Sequence, residues 1–329
     1  MSSQQQQQQQ HAKPPGPPYL PQVAMLGGVP ATLPDVPVAA VLLALFAAAA
    51  ALNMTIFQLN RRRGHKFVLS GVTFGFCMAR ITANAMRVAW SQHPSDARVA
   101  LAAGVFTNAG VLLLFVINLI FFQRVLRAHH PRFGWSRGVS WAFKFLYLGI
   151  FSCLAMVVVA VVYSYHTLDR GVQAQLRDVR LVASVYLAIL AFIPLPGTIL
   201  TVLIPRSGPV DNFGTGSMRT KVVLLIFTST LLSLGASFRT GTSFFTRPLD
   251  NPGWFNHKAA FYCFNFVIEL IVVYTYALMR MDRRFWIPDG AKGPGSYTRG
   301  TVGKASESQD EEAGERTLVP EEENAKQRQ

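Results

Sequence analysis

The stretch from Pro37 to Leu59, PVAAVLLALFAAAAALNMTIFQL, decides the fold, because its 23 residues include no charged side chain. A hydrocarbon core about 30 Å thick is crossed by roughly 20 apolar residues in an α-helix. A run of this length without strand-like alternation is typical of a helix, because the backbone in lipid must satisfy its own hydrogen bonds. The stretch therefore predicts a transmembrane helix.

Further apolar stretches of similar length follow along the chain. With the first, they give seven predicted spans, at about residues 37–59, 67–90, 99–123, 141–163, 181–204, 222–240 and 259–279. We therefore predict an all-α integral membrane protein, a seven-transmembrane helix bundle over residues 37–285. The Gln- and Pro-rich residues 1–36 and the acidic residues 286–329 lack the apolar residues of a core and are predicted to be disordered tails.

Composition excludes an ordinary soluble domain. Half of the 329 residues are hydrophobic and 15% are charged, whereas a soluble chain has about 25% charged residues. The formal net charge is +14, although the last thirty residues hold 8 acidic against 4 basic residues. The basic residues lie between apolar spans, which fits membrane lipids as partners better than nucleic acid. The sequence does not identify a protein partner, and it leaves open whether the protein lies in the plasma membrane or an endomembrane.

The distribution of basic residues predicts the orientation. Sixteen lie beside alternate ends of the spans, and six lie on the other side. By the positive-inside rule the N-terminus is outside and the C-terminus is cytosolic. The larger group comprises Arg61, Arg62, Arg63, Lys66, Arg124, Arg127, Arg132, Arg137, Arg206, Arg219, Lys221, Arg280, Arg283, Arg284, Lys292 and Arg299, and the smaller comprises Lys13, Arg98, Arg170, Arg177, Arg247 and Lys258.

Several polar and aromatic positions are spaced along the chain. The positions are Asn60 to Lys66, Gly75 to Cys77, Arg80, Asn118, Leu119, Phe122 to Arg124, Phe261, Tyr262, Asn265, Glu269 and Arg280 to Phe285. This set of positions resembles a fungal multi-pass family whose function is unknown. The resemblance covers about residues 37–299 and implies a fungal source and seven spans, but no activity. A looser similarity of plan connects the chain to fungal lipid-translocating exporters and to seven-helix receptors, by architecture alone.

Span two carries polar residues on one helical face. Arg80, Asn84 and Arg87 follow each other at spacings of four and three residues, so they project from the same side. An arginine near the bilayer centre costs about 2.5–3.5 kcal/mol even on the lenient insertion scale. This face should therefore look into the bundle. Its expected partner is Glu269, the only acid inside any predicted span, and we predict an Arg80–Glu269 ion pair.

Two further arginines are expected to lack an acidic partner. Arg87 and Arg239 lie towards the outer ends of spans two and six, and together they predict an anion site. The same interior includes Asn84, Tyr262 and Asn265 as candidate ligand-binding residues. The loop from Gly241 to Lys258, with the aromatic residues Phe244, Phe245, Trp254 and Phe255, is a candidate lid. The alternative is that the polar groups only fix helix register, with both arginines extended to the outer interface.

Span five contains the sequence Ile193-Pro194-Leu195-Pro196-Gly197. Two prolines remove two amide donors and crowd the preceding turn, so the helix must kink or break there. Freed carbonyl groups at membrane depth are tolerated where neighbouring helices or a cavity satisfy them. Pro194, Pro196 and Gly197 therefore mark either a hinge beside a site or a static kink.

Catalytic chemistry is not expected. All seven histidines fall outside the predicted spans, so neither a zinc centre nor a histidine-activated serine is predicted within the membrane. Span seven has no lysine for a retinal Schiff base, and no cofactor or metal is predicted.

These observations favour a non-enzymatic protein that transports or senses an amphipathic or anionic small molecule or lipid through a polar intramembrane site. The alternatives are a divergent seven-helix signalling receptor and a structural membrane organiser. A continuous polar path indicates a transporter, an outer pocket closed below indicates a receptor, and a tightly packed dry bundle indicates an organiser.

Overall fold

The computed structural model describes residues 16–21, 23–206 and 208–298. All regular secondary structure in these ranges is helical, as predicted. The α-helices are α1 (Thr32–Arg62), α2 (Leu69–Gln92), α3 (Ala97–Ala109), α4 (Leu112–His129), α5 (Pro131–Gly134), α6 (Arg137–Ser164), α7 (Arg170–Phe192), α8 (Pro194–Leu203), α9 (Met218–Ser243), α10 (Lys258–Tyr262), α11 (Ile268–Leu278) and α12 (Met281–Arg284). A 3-10 turn at Trp254–Asn256 precedes α10, and a π-helical turn at Cys263–Val267 joins α10 to α11.

Six helical stretches of the described chain are long and apolar enough to cross a membrane, which indicates a multi-pass membrane protein. They are Thr32–Arg62, Ala97–His129, Arg137–Ser164, Arg170–Leu203, Met218–Ser243 and Lys258–Leu278. The predicted second span, α2, is not among them although it has 24 residues. Its composition explains this, because Arg80, Asn84 and Arg87 interrupt its apolar residues.

Helix α2 packs along α1 and α3 with its polar face inward. Arg80 and Asn84 are fully buried, and Arg87 is 5% exposed. Phe76 packs against Phe46 of α1, with ring centroids 6.1 Å apart. Gly71 faces the ring of Phe57 in α1. The polar side chains that lower the hydropathy of α2 therefore lie inside the bundle.

The proline sequence divides the fifth predicted span into α7 and α8. Ile193, between them, keeps right-handed helical dihedrals, and its amide still donates to the carbonyl of Ile189. Ser233 of α9 donates to the neighbouring Ala191 carbonyl at 2.9 Å. A Cβ atom on Gly197 would lie 2.5 Å from the ring of Phe122. The junction between α7 and α8 is thus packed closely against α4.

Both predicted tail boundaries need correction. Helix α1 begins at Thr32, ahead of the predicted start at residue 37, and Asp35 is 1% exposed. At the other end, residues 286–298 pack on the bundle, and Tyr297 is fully buried. These segments belong to the fold because their aromatic and polar groups are engaged by the bundle. Residues 1–15, 22 and 299–329 of the predicted tails lie outside the described residues.

Candidate functional site

The centre of the bundle contains an ion pair between α2 and α11. Arg80 donates from Nε to Glu269 Oε2 at 2.5 Å and from Nη2 to Oε1 at 2.7 Å. Arg80 is fully buried and Glu269 is 1% exposed. The guanidinium carbon also lies 5.3 Å from the ring centroids of Phe76 and Phe266. This bidentate geometry is the arrangement in which an arginine–carboxylate pair is strongest.

The interruption between α3 and α4 supplies a hydrogen-bond acceptor for Nη1, the guanidinium nitrogen of Arg80 that does not bond to Glu269. Helix α3 ends at Ala109 and α4 begins at Leu112, so carbonyl groups near the end of α3 lack their usual helical partners. Arg80 Nη1 donates to the carbonyl of Thr107 at 2.7 Å. A Cβ atom on Gly110 would lie 3.4 Å from the guanidinium carbon. The helix break and the buried arginine therefore fit each other.

The prediction that Arg239 lacks an acidic partner is wrong. Its Nη2 donates to Glu269 Oε1, so Glu269 binds two guanidinium groups at once. Helix α9 continues to Ser243, which places Arg239 about 6 Å inside the helix end at 1.5 Å per residue. Its side chain is 16% exposed, compared with 0% for Arg80. Arg239 Nε is buried and has no hydrogen-bond partner among the described residues.

The prediction for Arg87 is also wrong, because Asp35 neutralises it. Arg87 donates from Nη2 to Asp35 Oδ1 at 2.9 Å and from Nε to the same atom at 3.1 Å. Asp35 also accepts from the Tyr262 hydroxyl at 2.7 Å and from Lys258 Nζ. These contacts join the start of α1 to α2 and α10. We name Asp35, Arg87, Lys258 and Tyr262 the outer cluster.

The outer cluster also holds the segment that precedes α1. Arg87 Nη2 donates to the carbonyl of Gly27 at 2.7 Å, and its guanidinium carbon lies 4.3 Å from the Phe261 ring centroid. Gly27 has a φ of +75°, and a Cβ atom there would lie 2.6 Å from that ring. Asn256 Nδ2 donates to the carbonyl of Met25 at 3.2 Å. Arg87 therefore anchors this segment to the bundle.

The other candidate ligand-binding residues divide between these groups. Tyr262 belongs to the outer cluster. Asn84 donates to the Arg80 carbonyl at 2.8 Å, one turn earlier in its own helix, while its Oδ1 is buried without a partner among the described residues. Asn265 donates to the Phe261 carbonyl at 2.9 Å. The five predicted ligand-binding residues therefore do not form one site.

A π-helical turn lies beside the central ion pairs. Residues Cys263–Val267 form this turn immediately before Glu269, and π-turns occur frequently at functional sites. A Cβ atom on Gly235 of α9 would lie 3.2 Å from the Phe264 carbonyl oxygen. Phe238 stacks on Phe264 with centroids 4.1 Å apart. The turn thus packs closely against the helix that carries Arg239.

The aromatic residues of the candidate lid differ in burial. Helix α9 includes Gly241 to Ser243, so the loop itself begins at Phe244. Phe244, Phe245 and Trp254 are exposed, whereas Phe255 is buried. Trp254 lies 6.3 Å from Phe238, measured between ring centroids. The loop is therefore close to the aromatic pair of Phe238 and Phe264, and its movement as a lid stays a prediction.

A second polar cluster ties α4, α9 and α11 together. Asn118 Oδ1 accepts from the Tyr276 hydroxyl at 2.7 Å and from Thr228 Oγ1 at 3.2 Å. Its amide donates to Ser229 Oγ at 3.2 Å. All four side chains are buried. Because each amide atom of Asn118 is engaged, this cluster stabilises helix contacts and offers no free group to a ligand.

Two clefts of the described structure are small, with room for about one water molecule each. The first is apolar apart from Asn108 and lies between α3, α4, α6 and α7. The second lies near Asn53, Thr73 and Tyr276. Neither is lined by Arg80, Arg239 or Glu269. A ligand of the central ion pairs would therefore not occupy either of these two clefts.

One family model matches residues 214–286, and its description is "Protein of unknown function (DUF3112)". The match covers less than a quarter of the chain and agrees with the expected resemblance to a family of unknown function. It includes Arg239, Tyr262, Asn265 and Glu269. No curated protein and no solved structure matches the chain.

Proposed function

We propose that this is a non-enzymatic, seven-span membrane protein that binds an anionic amphiphile through Arg239, as part of transporting or sensing it. One observation carries the proposal: Glu269 is shared by two guanidinium groups, and the partly exposed one has an Nε with no partner in the part of the chain that the structure describes. We further propose that the ligand is lipid-derived, as the similarity of plan to fungal lipid-translocating exporters that is expected from the sequence would imply by architecture alone.

The charge of the central group supports an anionic ligand. Arg80, Arg239 and Glu269 carry two positive charges and one negative charge. An excess charge in an apolar environment is poorly solvated and is stabilised by a counter-ion. The head of an anionic amphiphile supplies that counter-ion, and its apolar part remains in the surrounding hydrocarbon.

The asymmetry of the two arginines supports Arg239 as the binding residue. Arg80 holds Glu269 through two hydrogen bonds, whereas Arg239 holds it through one. Arg239 can therefore turn towards an incoming anion while Glu269 keeps a buried partner. An exchange that left a buried carboxylate unpaired would be strongly unfavourable.

Seven spans and the predicted orientation are part of the proposal. Helix α2 has 24 residues, which gives it a length of about 36 Å, enough for a hydrocarbon core of about 30 Å. Its two arginines are buried and paired with Glu269 and Asp35, which lowers the free-energy cost of placing them in a span. An odd number of spans also requires the two ends of the described chain to lie at opposite ends of the bundle. The N-terminal segment bonds to one end, through Tyr19 to Tyr165 and Ala24 to Arg247. Asp211, which holds the C-terminal segment, bonds to Ala128 at the other end.

A structural membrane organiser is the second candidate, favoured by the water-sized clefts and the paired interior charges. A divergent receptor is the third. An organiser has no ligand whose affinity depends on Arg239, and this separates it from the proposed function.

A thermal-shift experiment on the purified protein tests the proposal. The probes are phosphatidic acid, a long-chain fatty acid and, as the uncharged comparison, phosphatidylcholine. A ligand that binds only the folded state stabilises it by about 2.7 kcal/mol at one hundred times its Kd. We expect the anionic probes to stabilise the wild type and to lose this effect in Arg239→Gln. The matched control is Arg98→Gln, which changes an exposed arginine at the same end of the bundle. Equal shifts in wild type and Arg239→Gln would refute the proposed function.

A further inference from the structure

The end of the bundle that carries the C-terminal segment has a strongly basic surface. We name its exposed basic residues the basic face. Contacts between Asn60 and Asp282, and between Lys66 and Asp289, show that the segments bearing them meet at one end. The basic face consists of Arg61, Arg62, Arg63, Lys66, Arg132, Arg137, Arg206, Arg219, Arg283 and Lys292.

The acids at this end do not balance the basic face. Asp211, Asp282 and Asp289 lie there in the described part of the chain. Asp282 is buried, accepting from Asn60 at 2.8 Å and from Arg280. Asp211 is buried and bonded to the C-terminal segment, and exposed Asp289 pairs only with Lys66. The basic face therefore has a large excess of exposed positive charge.

The C-terminal segment is anchored beside the basic face. Asp211 accepts from the Thr298 amide at 2.8 Å and from its hydroxyl at 2.7 Å. Tyr297 is fully buried, with its ring 5.8 Å from Trp135 and 5.6 Å from Phe213 between centroids. These contacts fix the point from which the rest of the chain continues.

The following residues carry the opposite charge. Residues 307–323 include eight acids, at Glu307, Asp310, Glu311, Glu312, Glu315, Glu321, Glu322 and Glu323, and one base, Arg316. Glu307 lies nine positions after Thr298, and an extended chain of that length reaches about 30 Å. The acidic residues can therefore reach the basic face without displacing the anchor.

We propose that the acidic segment 307–323 docks on the basic face of the same molecule. Charge complementarity and the anchored start of the segment favour this occupant, since a segment tethered by a short linker meets its site at a roughly millimolar effective concentration. Anionic lipid headgroups are the competing occupant. The docked segment covers the basic face and is released by anions that bind there more strongly.

Carbodiimide cross-linking of the full-length protein in phosphatidylcholine nanodiscs tests the docking, because this reagent couples carboxylates directly to lysine amines. We expect mass spectrometry to find links from residues 307–323 to Lys66 or Lys292. Lys258, at the opposite end, is the matched control and should not be linked. Raising the salt concentration to about 1 M shortens the screening length to about 3 Å, so the yield should fall severalfold. Absent links, equal links to Lys258 or a yield unaffected by salt would overturn the proposal.

A competition measurement provides a second readout. Inorganic tripolyphosphate is the probe, and the variant has all eight acids of the segment changed to the corresponding amides. This variant should bind the probe severalfold more tightly than the wild type, because the basic face is no longer covered. The difference should disappear when Arg61, Arg62 and Arg63 are also changed to Gln, as expected for coupled sites. Equal affinities of the wild type and the amide variant would overturn the docking. The same result is expected if lipid headgroups, and not the acidic segment, occupy the basic face.

Discussion

Replacing Glu269 by alanine removes the carboxylate that holds two interior guanidinium groups. Glu269 accepts two hydrogen bonds from Arg80, at 2.5 and 2.7 Å, and a further one from Arg239. Arginine is not deprotonated in proteins, so both partners remain charged. The variant therefore leaves two like charges in an apolar interior without the acid between them.

The expected loss is large. Breaking a buried ion pair by removing one partner costs about 3–5 kcal/mol, and the upper part of that range applies because two cations are left. A typical protein has only about 5–15 kcal/mol of total stability. We expect Glu269→Ala to lower the free energy of unfolding by about 4–5 kcal/mol.

Matched variants separate the two arginines. Arg239→Gln removes one hydrogen bond but leaves the bidentate pair of Arg80 and Glu269, so we expect a loss below about 1.5 kcal/mol. The double variant Arg80→Ala/Glu269→Ala has lost both halves of the fully buried pair. It should be more stable than the sum of the two single losses predicts, by about 1 kcal/mol or more.

The assay is reversible unfolding in mixed micelles by titration with a denaturing detergent, followed by helical circular dichroism and tryptophan fluorescence. An unchanged free energy of unfolding in Glu269→Ala would show that Glu269 does not stabilise the two arginines. Strictly additive losses in the double variant, or an Arg239→Gln loss equal to that of Glu269→Ala, would also refute the reasoning. The last result would mean that Arg239 cannot leave Glu269 to bind an incoming anion.

Three further predictions concern the ends of the bundle. Single cysteines placed in loops 208–217 and 244–257 should label from opposite sides, with the first loop cytosolic; labelling from one side would contradict the orientation. Gly27→Ala should increase hydrogen exchange in the segment before α1, because the added Cβ would lie 2.6 Å from a phenylalanine ring. The control is Gly28→Ala, which is also at positive φ but has open space around it, so it should increase hydrogen exchange less. Burial alone would raise the pKa of Asp282, but hydrogen bonds from its neighbours hold that pKa below the usual 3.8. The stability that Asp282 contributes should thus be complete above pH 3.8 and lost as the pH falls below it; an Asp282→Asn variant with the same acid response as the wild type would contradict this.

The central part of the site could be predicted from the sequence because its signals are local. Arg80, Asn84 and Arg87 share a helical face, and Glu269 is the only acid inside the predicted spans. A charge buried in lipid requires a partner, and Glu269 is the single acidic candidate in the predicted spans. The sequence therefore predicts the Arg80–Glu269 pair. The division of the fifth predicted span at Ile193 has an equally local cause, the prolines that follow it.

The remainder depends on contacts that no local pattern specifies. The Gln- and Pro-rich composition of residues 1–36 predicts a disordered tail that includes Asp35, although an acid in the first turn is a recognised helix-start signal. A single acid inside the predicted spans indicates a single arginine partner, whereas Glu269 accepts from two arginines. The packing of residues 286–298 is set by distant groups such as Asp211 and Trp135.

The most direct test of anion binding at Arg239 is an experimental structure of the full-length protein in nanodiscs that contain phosphatidic acid. We predict density for an anionic headgroup within hydrogen-bond distance of Arg239 Nε, with the bidentate Arg80–Glu269 pair intact beneath it. Density for ordinary acyl chains alone around Arg239, with its guanidinium still turned to Glu269, would contradict anion binding at this residue.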